Sequence, residues 1–146
     1  MTPQTASNLL KFIGWGFIIF GVFFVTLSFA GYDALAQKLL VLFDWQTNSF
    51  SEPMTRNARW WAGILSGLSA GFGGLYVFVV APLLTAGHDP SARIARRGGL
   101  IAACLWMIID STGSYASGVT SNVVMNAVFF VMITGPLWLM KSPESY

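Results

Sequence analysis

The sequence is poor in the residues that carry redox and metal chemistry. Cys104 is its only cysteine, which excludes an intrachain disulfide, an iron–sulfur cluster and a cysteine-rich zinc site. His88 is its only histidine, so haem ligation by two histidines of one chain and a multi-histidine metal site are also excluded. Charged residues make up 10% of the chain, against about 25% in ordinary globular proteins. The formal charge of +2 is small and dispersed, and no basic patch suited to nucleic acid is present. No nucleophile stands in a pattern with a base. The expectation is a chain that is not an enzyme and carries neither a metal nor a cofactor.

Long apolar runs fill the space these absences leave. Hydrophobic residues account for 55% of the chain, concentrated in four stretches at about 10–30, 60–84, 98–117 and 122–140 whose only charged residues are Lys11 and Asp110. Each is near the roughly 20 helical residues needed to cross a membrane. The runs are continuous rather than alternating, and a backbone in lipid must bond to itself, so helices are predicted rather than a barrel. Lys11, the apolar run and Ser28-Phe29-Ala30 loosely imitate a secretory signal. The run from Phe12 to Ala30 exceeds the usual signal core of about 7–15 residues, and it reads as the first span. Gly135-Pro136 is expected to bend the last turns of the fourth span.

Between the first two spans, residues 32–45 place Tyr32, Leu35, Leu39 and Leu42 at helical spacing, with Asp33, Gln37 and Asp44 opposite. That pattern predicts an amphipathic helix lying in the membrane interface, or packed over the mouth of the bundle. Residues 46–57 are polar, contain Pro53 and read as an exposed loop. The predicted fold is therefore an all-α integral membrane protein: a single domain, residues 1–146, forming a four-helix bundle with this extra helix. Lys11, Arg93, Arg96, Arg97 and Lys141 lie at one end of the bundle, and Lys38, Arg56 and Arg59 at the other. The excess of positive residues on the first side predicts cytoplasmic termini in a bacterial-type inner membrane.

The second span carries the densest pattern. Gly63, Gly67 and Gly71 form two G-x-x-x-G steps, and Ser66, Ala70 and Gly74 repeat that spacing one register away. Small residues four apart let helix backbones approach closely. Gly99 and Ala103 on the third span, and Gly14 and Gly21 on the first, offer faces to receive them. The ladder reads as packing within the bundle or as a seam between two copies.

Asp110 is the one acidic residue that hydropathy places within a span. A charge in hydrocarbon costs at least a few kcal/mol (about 2.5–3.5 on insertion scales) and needs a partner or a role. Gly99, Ala103, Trp106, Asp110, Gly113 and Ser117 share a stripe, and Ser114 lies one turn beyond Asp110. Across the short turn, Asn122 and Asn126 reach similar depth if spans three and four are antiparallel. Arg59 begins the second span on the same side. Asp110, Ser114, Asn122, Asn126 and Arg59, with Tyr115 beside them, form the expected polar cluster, either holding the helices in register or binding a small cation or proton.

Arg93, Arg96 and Arg97 are expected on one face of a short helix after the turn at Asp89-Pro90-Ser91, where they hold the loop in the cytoplasm and attract anionic lipid. His88 reads as a loop residue. Trp45, Trp60, Trp61 and Trp138 fall near span ends, as an interfacial belt requires, whereas Trp15 and Trp106 lie deeper. The functional expectation is a non-catalytic accessory, assembly or scaffolding subunit of a larger membrane complex. Its partners would be membrane lipids and other integral subunits, or a second copy through the second span, with no nucleic acid. Two alternatives stand beside it: a small transporter or channel component in which Asp110 binds a proton or cation, and a binder of lipid, quinone or pigment.

Overall fold

A computed structural model describes residues 1–41, 54–86 and 89–140. All regular structure among them is helical. Four helices are long and apolar enough to cross a membrane: Pro3–Ser28, Arg56–Leu83, Pro90–Ala116 and Thr120–Leu139. Phe12, Ile19, Leu68, Ile108 and Ile109 face outward, with Phe12 76% and Ile109 70% exposed, while Ser7, Ser66, Ser121, Asn126 and Thr134 are buried. An apolar exterior around a partly polar interior is the distribution that lipid selects.

Helix α1 (Pro3–Phe24) starts seven residues before the first predicted span, since 10 − 3 = 7. The Thr2 hydroxyl accepts from the Thr5 N–H, and Pro3 needs no partner in the first turn, so a polar segment begins the helix. A 3-10 turn, Val25–Ser28, ends this rod. Helix α2 (Asp33–Leu40) is the described part of the predicted 32–45 helix. Its Leu39 and Leu40 pack on Phe24, Leu27 and Ala62, a contact with the end of the bundle. Residues 42–53, including Trp45, lie outside the described residues, as do His88 and Lys141.

Helix α3 (Arg56–Leu75) is capped by Thr55, whose hydroxyl accepts from the Ala58 N–H. It continues through a π segment, Tyr76–Val80, into the short α4 (Ala81–Leu83). Pro82 has no N–H to return to the preceding turn; Ala81 N–H instead reaches back to the Tyr76 carbonyl. Near the end of this rod, Ser7 Oγ donates to the Ala81 carbonyl at 2.7 Å. A polar group that the ending helix leaves open is thereby satisfied inside the bundle.

Helix α5 (Asp89–Ala116) is one continuous rod. The arginine-bearing stretch, expected as a separate short helix, is its first turns. Gly118, at φ 79°, ends it. Gly118 N–H bonds the Tyr115 carbonyl and Val119 N–H bonds the Ser114 carbonyl. This paired closure needs the left-handed backbone that glycine adopts freely. The chain then turns back into α6 (Thr120–Leu139), which continues through Gly135-Pro136.

Two apolar clusters hold the rods. The larger, at the end where α1 begins, includes Ala6, Leu10, Tyr76, Val80, Ala95, Ala103, Ile133 and Leu137, and joins all four spans. The smaller, at the far end, joins only α1, α2 and α3. The far ends of α5 and α6 belong to neither.

Within this frame α1 and α3 make the most intimate contact. A Cβ on Gly14 would stand 2.7 Å from Val77 Cγ2, and one on Gly21 would stand 2.5 Å from the Ser66 carbonyl oxygen. A Cβ on Gly73 would overlap the Gly14 carbonyl oxygen. The seam is thus built from Ser66, Ala70, Gly73 and Val77 against Gly14 and Gly21. Gly63 lies near Ser28, whereas Gly67 and Gly71 have open space where a side chain would begin, and Gly74 meets only Phe78 of its own rod. Gly67 and Gly71 of the predicted ladder's first register therefore turn away from the bundle, while Gly63 stays against Ser28.

Candidate functional site

The polar residues at the far end of α5 and α6 are brought together by the Gly118 turn. Asn122 Nδ2 donates to Ser114 Oγ at 2.8 Å, and Asn126 Nδ2 donates to Ser111 Oγ at 3.3 Å. Both pairs are centred on the turn, since (114 + 122)/2 = 118 and (111 + 126)/2 = 118.5. Asn126 and Ser121 are buried, and Asn122, Ser111 and Ser114 are half-buried. Other hydroxyls on these rods fold back on their own helix: Thr112 on the Ile108 carbonyl, Ser117 on Gly113 and Thr134 on Phe130. The two asparagines span the gap at the far end and fix the register of α5 against α6 there.

Asp110 takes no part in this ladder. It is half-buried and makes no hydrogen bond or ion pair with the described residues. The expected bond from Asn126 goes to the neighbouring Ser111, which stands about 100° further round the helix. Arg59 is also directed elsewhere, with Nη1 donating to the Phe29 carbonyl at 2.8 Å. Tyr115 is exposed. The five residues expected as one cluster thus divide into an asparagine–serine ladder, a separate Asp110, and an Arg59 that ties α3 to the chain following α1. Ser111 was absent from the expected set. Its visible signal is its place in the run Met107, Ser111, Ser114, which follows the side of α5 turned toward α6.

The surroundings of Asp110 are uneven. Toward the termini, the same side of α5 is covered: Ala92, Ala95, Gly99 and Ala103 are buried. From Cys104 to Ala116 no residue of α5 is buried. Asp110 stands midway along this uncovered half, on the line that Ala103 continues to Ser114. Gly113 and Ser117, which share its predicted stripe, are exposed. One turn toward the termini lies an aromatic node. Phe17 of α1 meets Phe72 of α3 at 5.7 Å and Phe129 of α6 at 5.6 Å, and Phe72 meets Trp106 of α5 at 6.1 Å. All four spans contribute a ring.

At the termini end, Arg93 and Arg97 are exposed, and Arg96 reaches the Trp138 carbonyl at 3.4 Å. No three His, Cys, Asp or Glu side chains among the described residues are grouped to hold a metal. Comparison with protein-family models, curated proteins and solved structures yields no match to this chain.

The asparagine ladder carries its own prediction. Asn126→Ala is expected to destabilise the purified protein by about 1 kcal/mol, the scale of an interhelical hydrogen bond in a membrane protein with a small truncation. Ser111→Ala should cost less. The double variant should fall short of the sum by about 0.6 kcal/mol, because the two side chains share one bond. Unfolding of all three variants in mixed detergent micelles reads the coupling, and strict additivity would show that the bond contributes nothing.

Proposed function

We propose that this protein is a non-catalytic assembly or scaffolding subunit that docks another membrane-spanning helix on the far half of α5. The carrying observation is Asp110, a carboxylate midway along an uncovered helix half, whose polar neighbours are bonded to one another. In lipid such a group requires a compensating donor. A lysine, arginine or polar side chain on a partner helix supplies one, and the uncovered residues from Cys104 to Ala116 supply the contact area. The aromatic node favours this reading over conduction, because rings from four helices meet one turn from Asp110. The greater number of basic residues at the termini end supports cytoplasmic termini in a bacterial-type inner membrane.

Asp110→Asn distinguishes a docking group from an internal brace. In the isolated protein the change is expected to shift stability by less than about 1 kcal/mol, since no described side chain depends on the carboxylate. Retention of membrane partners during gentle native purification should fall about tenfold, the equivalent of about 1.4 kcal/mol and in the range of one charge-assisted bond. Wild-type protein that purifies alone as a monomer, or an Asn variant that retains every partner, contradicts the proposal. Reconstituted vesicles test the transporter alternative: proton or cation flux abolished by Asp110→Asn would replace scaffolding with transport.

A further inference from the structure

Beyond the aromatic node, α3 and α5 face each other across a groove whose two walls carry polar groups without partners. The helices run in opposite directions, and Phe72 of one meets Trp106 of the other at 6.1 Å. Ser69 lies three residues before Phe72 and Asp110 four residues after Trp106, so each stands about one turn nearer the far end. Ser69 continues the line of Tyr76 and Phe72, the two side chains that reach α5 from this rod. Asp110 continues the line of Ala103 and Trp106. Both are half-buried, and neither makes a hydrogen bond or ion pair with the described residues. The nearby Ser66 hydroxyl, by contrast, returns to the Ala62 carbonyl. Past this level the walls are open. Leu65, one turn beyond Ser69, is 51% exposed, and Gly113, one turn beyond Asp110, is exposed with nothing within 4 Å of a Cβ.

The chain has no base of its own at this level. Of its eight Lys and Arg residues, Arg56 and Arg59 begin α3, at least ten residues or about 15 Å from Ser69 (69 − 59 = 10). The three arginines of α5 are at least thirteen residues from Asp110 (110 − 97 = 13). Lys11 precedes Gly14, whose neighbour Val77 belongs to the termini half. Lys38 follows the first rod and Lys141 follows α6. A second copy in the same orientation brings only the same misplaced bases and another Asp110. Extending the scaffolding reading above, on which this rests, we infer that the groove receives a lysine or arginine from a spanning helix of a different protein, its cationic nitrogen between the Asp110 carboxylate and the Ser69 hydroxyl. A base within a span bears the same cost as an acid, and pairing relieves both. Lysine and arginine carry only donors, which both oxygens accept. Gly113 leaves room for the partner backbone to approach. The exposed Leu65 and Ile109 add apolar contact, which a dissolved cation would not use.

The test uses the full chain in neutral detergent and a labelled leucine–alanine helix of about 20 residues. One lysine is placed eight residues from its end, matching the distance from Asp110 to Gly118 (118 − 110 = 8), and the control carries norleucine there. Fluorescence anisotropy is expected to show the lysine helix binding about tenfold more tightly than the control. Asp110→Asn should abolish that preference, and Ser69→Ala should reduce it about threefold. Unfolding midpoints of both variants without the helix should match wild type, which separates loss of binding from loss of fold. Asp110→Lys should reverse the preference toward a helix with glutamate at the same place. Equal binding of the lysine and norleucine helices, a preference that survives Asp110→Asn or is untouched by Ser69→Ala, or full competition by n-butylammonium at the helix's own concentration would each overturn the inference. If native partners are still lost on Asp110→Asn in such a case, scaffolding stands and only the basic side chain is wrong; a lysine preference in a protein that purifies without partners supports the groove and removes the scaffold.

Discussion

Gly73→Ala is expected to destabilise the isolated protein by about 2–3 kcal/mol, the upper part of the usual range for forcing a methyl group into a filled contact. The added Cβ would overlap the Gly14 carbonyl oxygen and stand 2.9 Å from Phe17 Cβ and 3.0 Å from the Ile18 nitrogen. Two of those three atoms are backbone, so no side-chain rotation relieves the clash and α1 must move away from α3. Gly21→Ala meets the Ser66 carbonyl and the Ala70 nitrogen and should behave similarly. Gly67→Ala and Gly71→Ala meet nothing within 4 Å. They should be neutral or stabilising by up to about 1 kcal/mol through helix propensity alone. Unfolding midpoints of the four variants in one detergent measure the contrast. Equal losses at Gly67 and Gly73 would mean that α3 presents a different face to α1. If Gly67→Ala instead abolishes a dimer without altering monomer stability, the outward register is a seam between copies.

That contrast also shows what the second span revealed in sequence and what it withheld. A close approach was legible from the density of small residues. The face was not. Successive residues four apart drift by about 40° around a helix with 3.6 residues per turn. A strict Gly63-Gly67-Gly71 ladder therefore winds out of any straight seam, and it does so here, from Ser28 at Gly63 to open space at Gly71. The contact follows Ser66, Ala70, Gly73 and Val77, whose alternating steps of four and three keep to one side. Gly73 was hidden because it belongs to neither four-residue ladder.

The polar site was legible to the same degree. The turn at Gly118 sets which residues of α5 and α6 share a depth, and the sum of paired numbers is close to 236. Asp110 with Asn126 gives 236, and Ser111 with Asn126 gives 237. Depth could not choose between neighbours, but direction does, because adjacent residues point about 100° apart. The larger charge drew the expectation toward Asp110, while the helix face selected Ser111. Element ends were misplaced for a related reason. Hydropathy marks where lipid begins, whereas Thr2 at the start of α1 and the arginine-bearing turns of α5 continue helices beyond it.

Tyr76→Ala is expected to cost about 3–5 kcal/mol, the range for emptying a buried aromatic site. Tyr76 is 2% exposed, its ring lies edge-on to Phe72 at 5.0 Å, and its hydroxyl donates to the Gly99 carbonyl at 2.7 Å. Tyr76→Phe keeps the ring and loses one bond to a carbonyl that remains in the α5 backbone ladder, so about 1 kcal/mol is expected. The position matters more than the bond. The π segment turns Tyr76, Val77, Val80 and then Ala81 all inward, and Tyr76 and Val80 close around Gly99 together with Leu137. Beyond Ala103, α5 has no buried residue and is held by α6 and the aromatic node. Removing the Tyr76 ring should therefore loosen α5 and α6 from α1 and α3 before it loosens either pair internally. Hydrogen exchange in micelles should rise first around residues 95–103, while protection persists along the Gly14–Gly73 seam. A uniform rise across all four spans would mean that the bundle unfolds as one unit and that Tyr76 is ordinary core. A rise confined to α5 and α6 would identify Tyr76 as the fastening that holds the Asp110-bearing arm to the rest of the protein.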